Sequence, residues 1–327
     1  MAQRGPREPS FGRRLRRDAG ALVVSNFFRV LSAATRLHPA ARPSRHRVEV
    51  VRNLPYLPTG AIEHLLDVYR PSERPAPWPV MIYVHGGAFR ILSKDTHFMM
   101  GLGWARRGYL VFNISYRLAP RHPYPAAVED TCAAFEWIVA NAAAYGGDLS
   151  RLVIAGESAG ANLATSLTLA TCYHRSEPHA QRVFDLGVVP RAVMPACGIF
   201  QVSDPGRFQR RRNFPAWISG RLTKIADAYL RDADATPGAL DLADPLVWLE
   251  RGEPPARPLP PFFLPVGTRD PLLDDTRRIR AALKKLGALA EAHYYPGEIH
   301  AFHALPYRTN ARRCWNDAAH FLERHLS

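Results

Sequence analysis

Apolar positions along the chain fall into alternating short runs and helical stripes. Pro79 to Val84 (PVMIYV), Tyr109 to Ile114, Leu152 to Ala155, Arg191 to Cys197 and Pro261 to Gly267 have the length and near-continuous apolar character of strands covered on both faces. Helical spacing fills the intervals, over residues 96–107, 126–145 (after Pro125), 161–172 (ANLATSLTLATC), 275–286 and 308–325, and Glu291 to Tyr295 supplies a last strand. Strands alternating with helices predict an α/β fold with a mostly parallel central sheet and helices on both faces. Ahead of it, His46 to Asn53 and Ile62 to Tyr69 are joined through the punctuated Leu54-Pro55-Tyr56-Leu57-Pro58-Thr59-Gly60 and predict an antiparallel start to that sheet.

Two stretches break the rhythm. Phe11 to Leu37 places Leu15, Ala19, Leu22, Val23, Phe27, Val30, Ala34 and Leu37 on one stripe beside an arginine-rich face, after ten residues that read as disordered. This amphipathic helix can be a lid over a crevice, a surface anchor on an anionic membrane, or an ordinary packing helix. It does not read as a signal peptide, because Arg29 follows the short apolar run closely and no clean small-residue cleavage site appears. Phe200 to Pro260, with RFQRRRNFPAWISG, a helix-like 220–231 and the PPARPLPP run, is an insertion of the length that is usually functional or disordered. The expected organisation is an N-terminal basic segment, 1–45, and one large domain, 46–327, carrying a helical cap near 200–260.

Charge changes the picture little. The formal net charge is +14 over 327 residues, but residues 1–50 hold eleven arginines against Glu8, Asp18 and Glu49, so the remaining chain is only mildly basic and nucleic acid is not the expected partner. Cys132, Cys172, Cys197 and Cys314 are widely spaced and form no C-x-x-C pair, which indicates neither a disulfide framework nor a zinc site. With no apolar stretch long enough to span a bilayer, a cytoplasmic chain is expected, with any membrane contact peripheral and through the N-terminal helix.

The chemistry concentrates in Arg151 to Gly160, RLVIAGESAG, where a buried strand runs without a linker into Ser158. Gly156 and Gly160 clear a sharp strand-to-helix turn that would push the hydroxyl out of the backbone as a nucleophile; a helix N-cap serine is the competing reading. After Pro79 to Val84 comes His85-Gly86-Gly87-Ala88-Phe89, where side-chain-free residues let backbone N–H groups line a cavity. The N–H groups of Gly86, Gly87 and Ala159 are therefore candidate oxyanion donors, each worth roughly 3 kcal/mol of barrier, while His85 reads as structural.

HGGAF, SYRLAPRHPYPAAVED and GESAG, in this order and at these separations, resemble the hormone-sensitive-lipase-like branch of the α/β-hydrolases, a group of carboxylesterases; the likeness covers roughly residues 60 to 325. Ala88 stands where the family often has a third glycine, Ser115 and Arg121 where it often has acids, and Glu157 where it often has Asp. None of these touches the nucleophile, and the ion pairs around Arg117 and Glu157 read as structural. The resemblance implies a serine esterase without metal or organic cofactor, acting on a small-molecule ester. Asp270 lies at the carboxyl end of the Pro261 to Gly267 strand, the edge where open α/β sheets gather their catalytic residues, and the resemblance points to it as well. Asp274 and Asp275 open the next helix and can satisfy its N-terminal donors. His300 follows the last strand and matches the family's base, with His303 its competitor. The order Ser158, Asp270, His300 is that of nucleophile, acid and base. Cap helices fall near 200–260 in the family, which makes Phe208, Phe214 and Trp217 candidate pocket lining and Arg210 to Arg212 a solvated face. An amidase or deacetylase using the same three residues, or a ligand receptor on a disabled hydrolase scaffold, are the alternative functions.

Overall fold

The computed structural model describes residues 38–327 except 211–213, 234, 235 and 237; the helix expected over Phe11 to Leu37 lies outside the described residues. Eight strands form one sheet: β1 (Val48–Pro55), β2 (Leu65–Pro71), β3 (Trp78–Val84), β4 (Leu110–Ile114), β5 (Gly147–Glu157), β6 (Ala192–Ala196), β7 (Phe262–Gly267) and β8 (Ala290–Tyr295), in the order β1-β2-β4-β3-β5-β6-β7-β8. β1 and β2 pair antiparallel, as do β2 and β4, and from β4 to β8 every pairing is parallel. The helices are α1 (Phe98–Ala105), α2 (Ala126–Asn141), α3 (Ala159–Cys172), α4 (Pro178–Asp185), α5 (Gly206–Gln209), α6 (Ala216–Tyr229), α7 (Pro245–Arg251), α8 (Leu273–Lys285) and α9 (Thr309–Leu326).

Strand periodicity divides the interior in two. Val80, Ile82 and Val84 of β3 point into one core with Phe112, Ile154 and the buried residues of α2 and α3. Met81 and Tyr83 point into the other with Val153, Met194, Phe263, Phe98 of α1 and Phe321 of α9. Helices therefore cover both faces, which is why the central strands read as unbroken apolar runs. All fourteen residues of α3 are buried. Its hydroxyls are accommodated by bonding back along the helix, Thr165 to the Ala161 carbonyl and Thr168 to that of Ala164, both at 2.8 Å.

Two expectations shift locally. Ile62 to His64 is a 3-10 turn, and β2 begins only at Leu65. Pairing with Asp130 explains this: His64 Nε2 lies 3.1 Å from Asp130 Oδ1, which draws the imidazole inward and leaves Ile62 exposed. The helix from Ala126 ends at Asn141 and tightens into a 3-10 turn, Ala142–Tyr145, closed by Gly146 at φ 86°.

Strand order decides where the chemistry can sit. The chain leaves β3 toward β4 and then returns past β3 to lay down β5, so the carboxyl ends of β3 and β5 are neighbours at a topological switch point, the crevice such sheets use for ligands. The 200–260 insertion is fastened over this end. Asn162 Nδ2 donates to the Ile199 and Ala243 carbonyls at 2.7 and 2.8 Å, Ser166 Oγ donates to Leu242 O at 2.8 Å, and Tyr229 of α6 stacks on Phe89 at 3.8 Å. Asp275, expected to serve the first turn of α8, instead faces this insertion: its Oδ2 accepts the Phe200 N–H at 3.0 Å and pairs with Arg207 at 2.7 Å. A buried carboxylate needs a cation more than a helix end does, and Arg207 is the cation within reach.

Candidate active site

Ser158 joins β5 to α3 with φ 54° and ψ −114°, a strained backbone for any residue with a side chain. Its N–H donates to Ala196 O at 2.9 Å, at the end of β6. The turn is that tight because α3 starts against β3: a Cβ on Gly160 would stand 2.1 Å from Val84 O and 2.5 Å from His85 O. Hence the loop after β3 and the turn after β5 are in backbone contact. Gly86 and Gly87 lie in that loop, and no acceptor among the described residues takes the N–H of Gly86, Gly87 or Ala159. His85 is buried, its ring stacked on Tyr116 at 4.2 Å, its Nδ1 donating to Gly86 O at 2.6 Å; burial, with His97 nearby, lowers its pKa to about 3, so it stays neutral.

At the far side of the crevice the loops after β7 and β8 are stitched together. Thr268 N–H donates to Tyr295 O at 3.0 Å, Arg269 N–H to Glu298 O at 2.9 Å, and Gly297 N–H to Thr268 Oγ1 at 2.8 Å. Gly267 permits this approach, since a Cβ there would meet Glu298 O at 2.2 Å. The stitching brings His300 Nδ1 to 2.9 Å from Asp270 Oδ2, while Asp270 Oδ1 accepts the Leu272 N–H at 2.8 Å. Asp270 is buried and the His300 ring is about one-third exposed (34%). Burial alone would lower the His300 pKa, but its neighbours Cys197 and Asp270 outweigh that and hold it well above the ordinary histidine value. Cys197, the residue after Ala196, is buried against this pair, and burial raises its thiol pKa.

His303, the competing histidine, points elsewhere. Its Nε2 is 2.7 Å from Glu157 Oε2, while His97 Nε2 is 2.9 Å from Glu157 Oε1. Although burial opposes charge on Glu157, the two imidazoles, His97 foremost, hold its pKa well below the usual carboxylate range. Sequence reasoning read Glu157 only as a structural ion pair and missed both histidines; three buried polar residues far apart in sequence leave no local signal. Arg117, also read as structural, makes a two-pronged contact to the buried Asp130, its N–H to Oδ2 at 2.7 Å and its Nε at 2.9 Å.

In the 200–260 insertion, Phe208 is buried with Phe214 tilted against it at 5.5 Å, whereas Trp217 on α6, expected to line a pocket, is 66% exposed, with Arg221 over its ring at 5.6 Å. Arg210 pairs with Asp204, and Arg211 and Arg212 lie outside the described residues. On the sheet face that carries α1 and α9, a part-open cavity of about 40 Å³ is lined by Met194, Phe263, Trp315 and other mostly apolar groups.

A parallel sheet with a sharp serine turn after one strand, an acid after a later strand and a histidine after the last is the architecture of an α/β-hydrolase. The family model for the α/β-hydrolase fold matches residues 81–304. The chain belongs to that family, in the hormone-sensitive-lipase-like branch its motifs resemble. It is 31% identical over 255 residues to a carboxylesterase, NlhH, of Mycobacterium tuberculosis, covering 74% of this chain and 72% of that one. An acetyl esterase of Salmonella schwarzengrund is also 31% identical over 255 residues, covering 76% and 73%. Among solved structures, the esterase LipW from Mycobacterium marinum superposes with a TM-score of 0.74 at 24% identity over 94% of this chain and 90% of that one, a likeness of fold. No helix among the described residues is long and apolar enough to cross a membrane.

Proposed function

We propose that the chain hydrolyses carboxylic esters of small molecules through an acyl-serine intermediate. The observation that carries this reading is the Asp270–His300 pair, 2.9 Å apart, at the sheet edge that also holds the strained Ser158 turn. His300 Nε2 takes the Ser158 proton as the hydroxyl attacks the ester carbonyl, and Asp270 holds the imidazole in the Nδ1–H tautomer and stabilises its positive form. Asp270, 2.9 Å from Nδ1, steadies the imidazolium that holds that proton and hands it to the departing alkoxide. Gly86, Gly87 and Ala159, whose N–H groups meet no acceptor among the described residues, receive the oxyanion. Water activated by the same imidazole then releases the acid. The names of the relatives, a carboxylesterase and an acetyl esterase, support esters of modest acyl size. Residues 200–260 act as a cap bounding the acyl side of the crevice, with Phe208 and Phe214 as its inner surface; the lid or membrane role of residues 1–45 rests on their sequence pattern alone.

Turnover across p-nitrophenyl esters and matching anilides of graded acyl length tests the proposal, with Ser158→Ala as the control. Ester turnover that disappears in the variant, together with loss of labelling by a fluorophosphonate probe, is the expected outcome. Wild-type rates in Ser158→Ala would remove the nucleophile assignment, and faster anilide cleavage would make the chain an amidase.

A further inference from the structure

Acyl transfer leaves one polar residue of the crevice without a task. Cys197 follows β6 at φ 41°, a left-handed position uncommon for a residue with a side chain, and is 1% exposed. Its Sγ, a nitrogen of His300 and a carboxylate oxygen of Asp270 all lie within 4.8 Å of one another, and among the described residues no other three side chains converge in this way. Asp270 sits 2.9 Å from Nδ1, so a cation bridging the carboxylate and the imidazole meets Nδ1. A thiolate, an imidazole and a carboxylate are the donors of a borderline-soft divalent cation, and three protein ligands with one open position are a familiar zinc arrangement. One thiolate and one carboxylate also cancel the charge of a divalent ion, so it could be held away from bulk water without net charge. The part-exposed face of His300 is the way in. The wide cysteine spacing indicates no structural zinc site, and this convergence is produced only by the fold.

We propose that Cys197, Asp270 and His300 form an inhibitory site for zinc or a similar divalent cation, a reading that rests on Asp270 and His300 being the acid and base of the hydrolase. On binding, the Cys197 S–H bond breaks and an S–metal bond forms. The metal takes the Nδ1 lone-pair position, the Nδ1 proton is replaced by one on Nε2, and the Asp270 oxygen that had accepted the Nδ1–H coordinates the ion. The thiol proton leaves to solvent, together with the second ring proton where His300 starts as the imidazolium, and nothing is oxidised or reduced. The imidazole is then locked with its proton on Nε2, the nitrogen that must accept from Ser158, and the base is lost until the ion is withdrawn.

The test uses the full chain and two readouts. Zinc is titrated against turnover of a short soluble ester, and cadmium binding is followed by its thiolate-to-metal ultraviolet absorption, which needs no turnover. Expected for the wild type are one cadmium per chain bound with release of protons, loss of turnover with zinc, and recovery with a chelator. Cys197→Ala and Cys197→Ser should lose the absorption band and, each measured against its own metal-free rate, become less sensitive to zinc by about tenfold or more. Asp270→Asn should weaken cadmium binding with its circular dichroism unchanged. No band in the wild type, a band that persists in Cys197→Ala, or equal zinc sensitivity in both would overturn the site. A band with no ester turnover under any condition would leave the metal site standing and remove the hydrolase reading instead.

Discussion

Glu157 Oε2 lies 2.7 Å from His303 Nε2, so the residue immediately before Ser158 is tied to the loop that carries His300. The other oxygen of Glu157 reaches His97, next to the start of α1. One buried carboxylate thus holds three pieces of chain around the crevice from behind, without touching any reacting atom.

The two histidines of the last loop should therefore fail differently. His300→Ala should lower kcat by about four orders of magnitude, as loss of a member of such a triad does, with little change in the denaturant midpoint. His303→Ala leaves Glu157 short of a donor and should cost about 2 kcal/mol of stability while reducing kcat far less. Steady-state kinetics alongside urea unfolding separates them, and the reverse pattern would exchange their roles.

Glu157 also predicts an acid limit. Its folded pKa is depressed below the unfolded value of about 4.3, so its contribution to stability is complete above that pH and is lost as pH falls through the folded pKa. The unfolding free energy of the wild type relative to Glu157→Gln should be constant from neutrality down to about pH 5 and shrink below about 4.3. A difference that grows in acid would reverse the sign of the coupling.

Glycines give a paired test of packing. Gly160→Ala drives a Cβ into the Val84 carbonyl and should cost about 3 kcal/mol or more, with loss of turnover because the serine turn must move. Gly220→Ala, inside α6 with nothing within 4 Å of the new methyl, should raise stability by about 0.5–1 kcal/mol and leave turnover alone. Thermal melts of both decide it.

Asp275 anchors the start of the 200–260 insertion through Phe200 and Arg207. Asp275→Asn removes the charge that Arg207 pairs with and should cost about 3 kcal/mol. Limited proteolysis should then cut within residues 200–215 before the sheet opens, and turnover of longer acyl esters should fall more than that of acetate. Unchanged cleavage and a uniform rate loss would detach Asp275 from any cap function.

What the sequence disclosed follows from how far each signal reaches along the chain. β3, β5 and β7 were legible because burial on both faces writes a continuous apolar run, and Ser158 because it follows one directly; Asp270 is marked by its place past the end of β7, and His300 by its place after the last strand and by the family resemblance. α4 and α7 went unread: one is short and strongly polar overall, and the other sits behind prolines in a segment whose helical spacing lasts only two turns. The Asp275–Arg207 pair, the Glu157 bracket and the approach of Cys197 to Asp270 and His300 join residues 60 or more positions apart, and no local pattern encodes such meetings.

The helix that follows Ser158 has no surface of its own. Since α3 is enclosed along its whole length, its amides can reach solvent only when the layers on both sides of it separate, and the serine turn has no private route to disorder. Heat inactivation and global unfolding of this chain would then be one event seen by two instruments, and the crevice would be as durable as the core it is cut into.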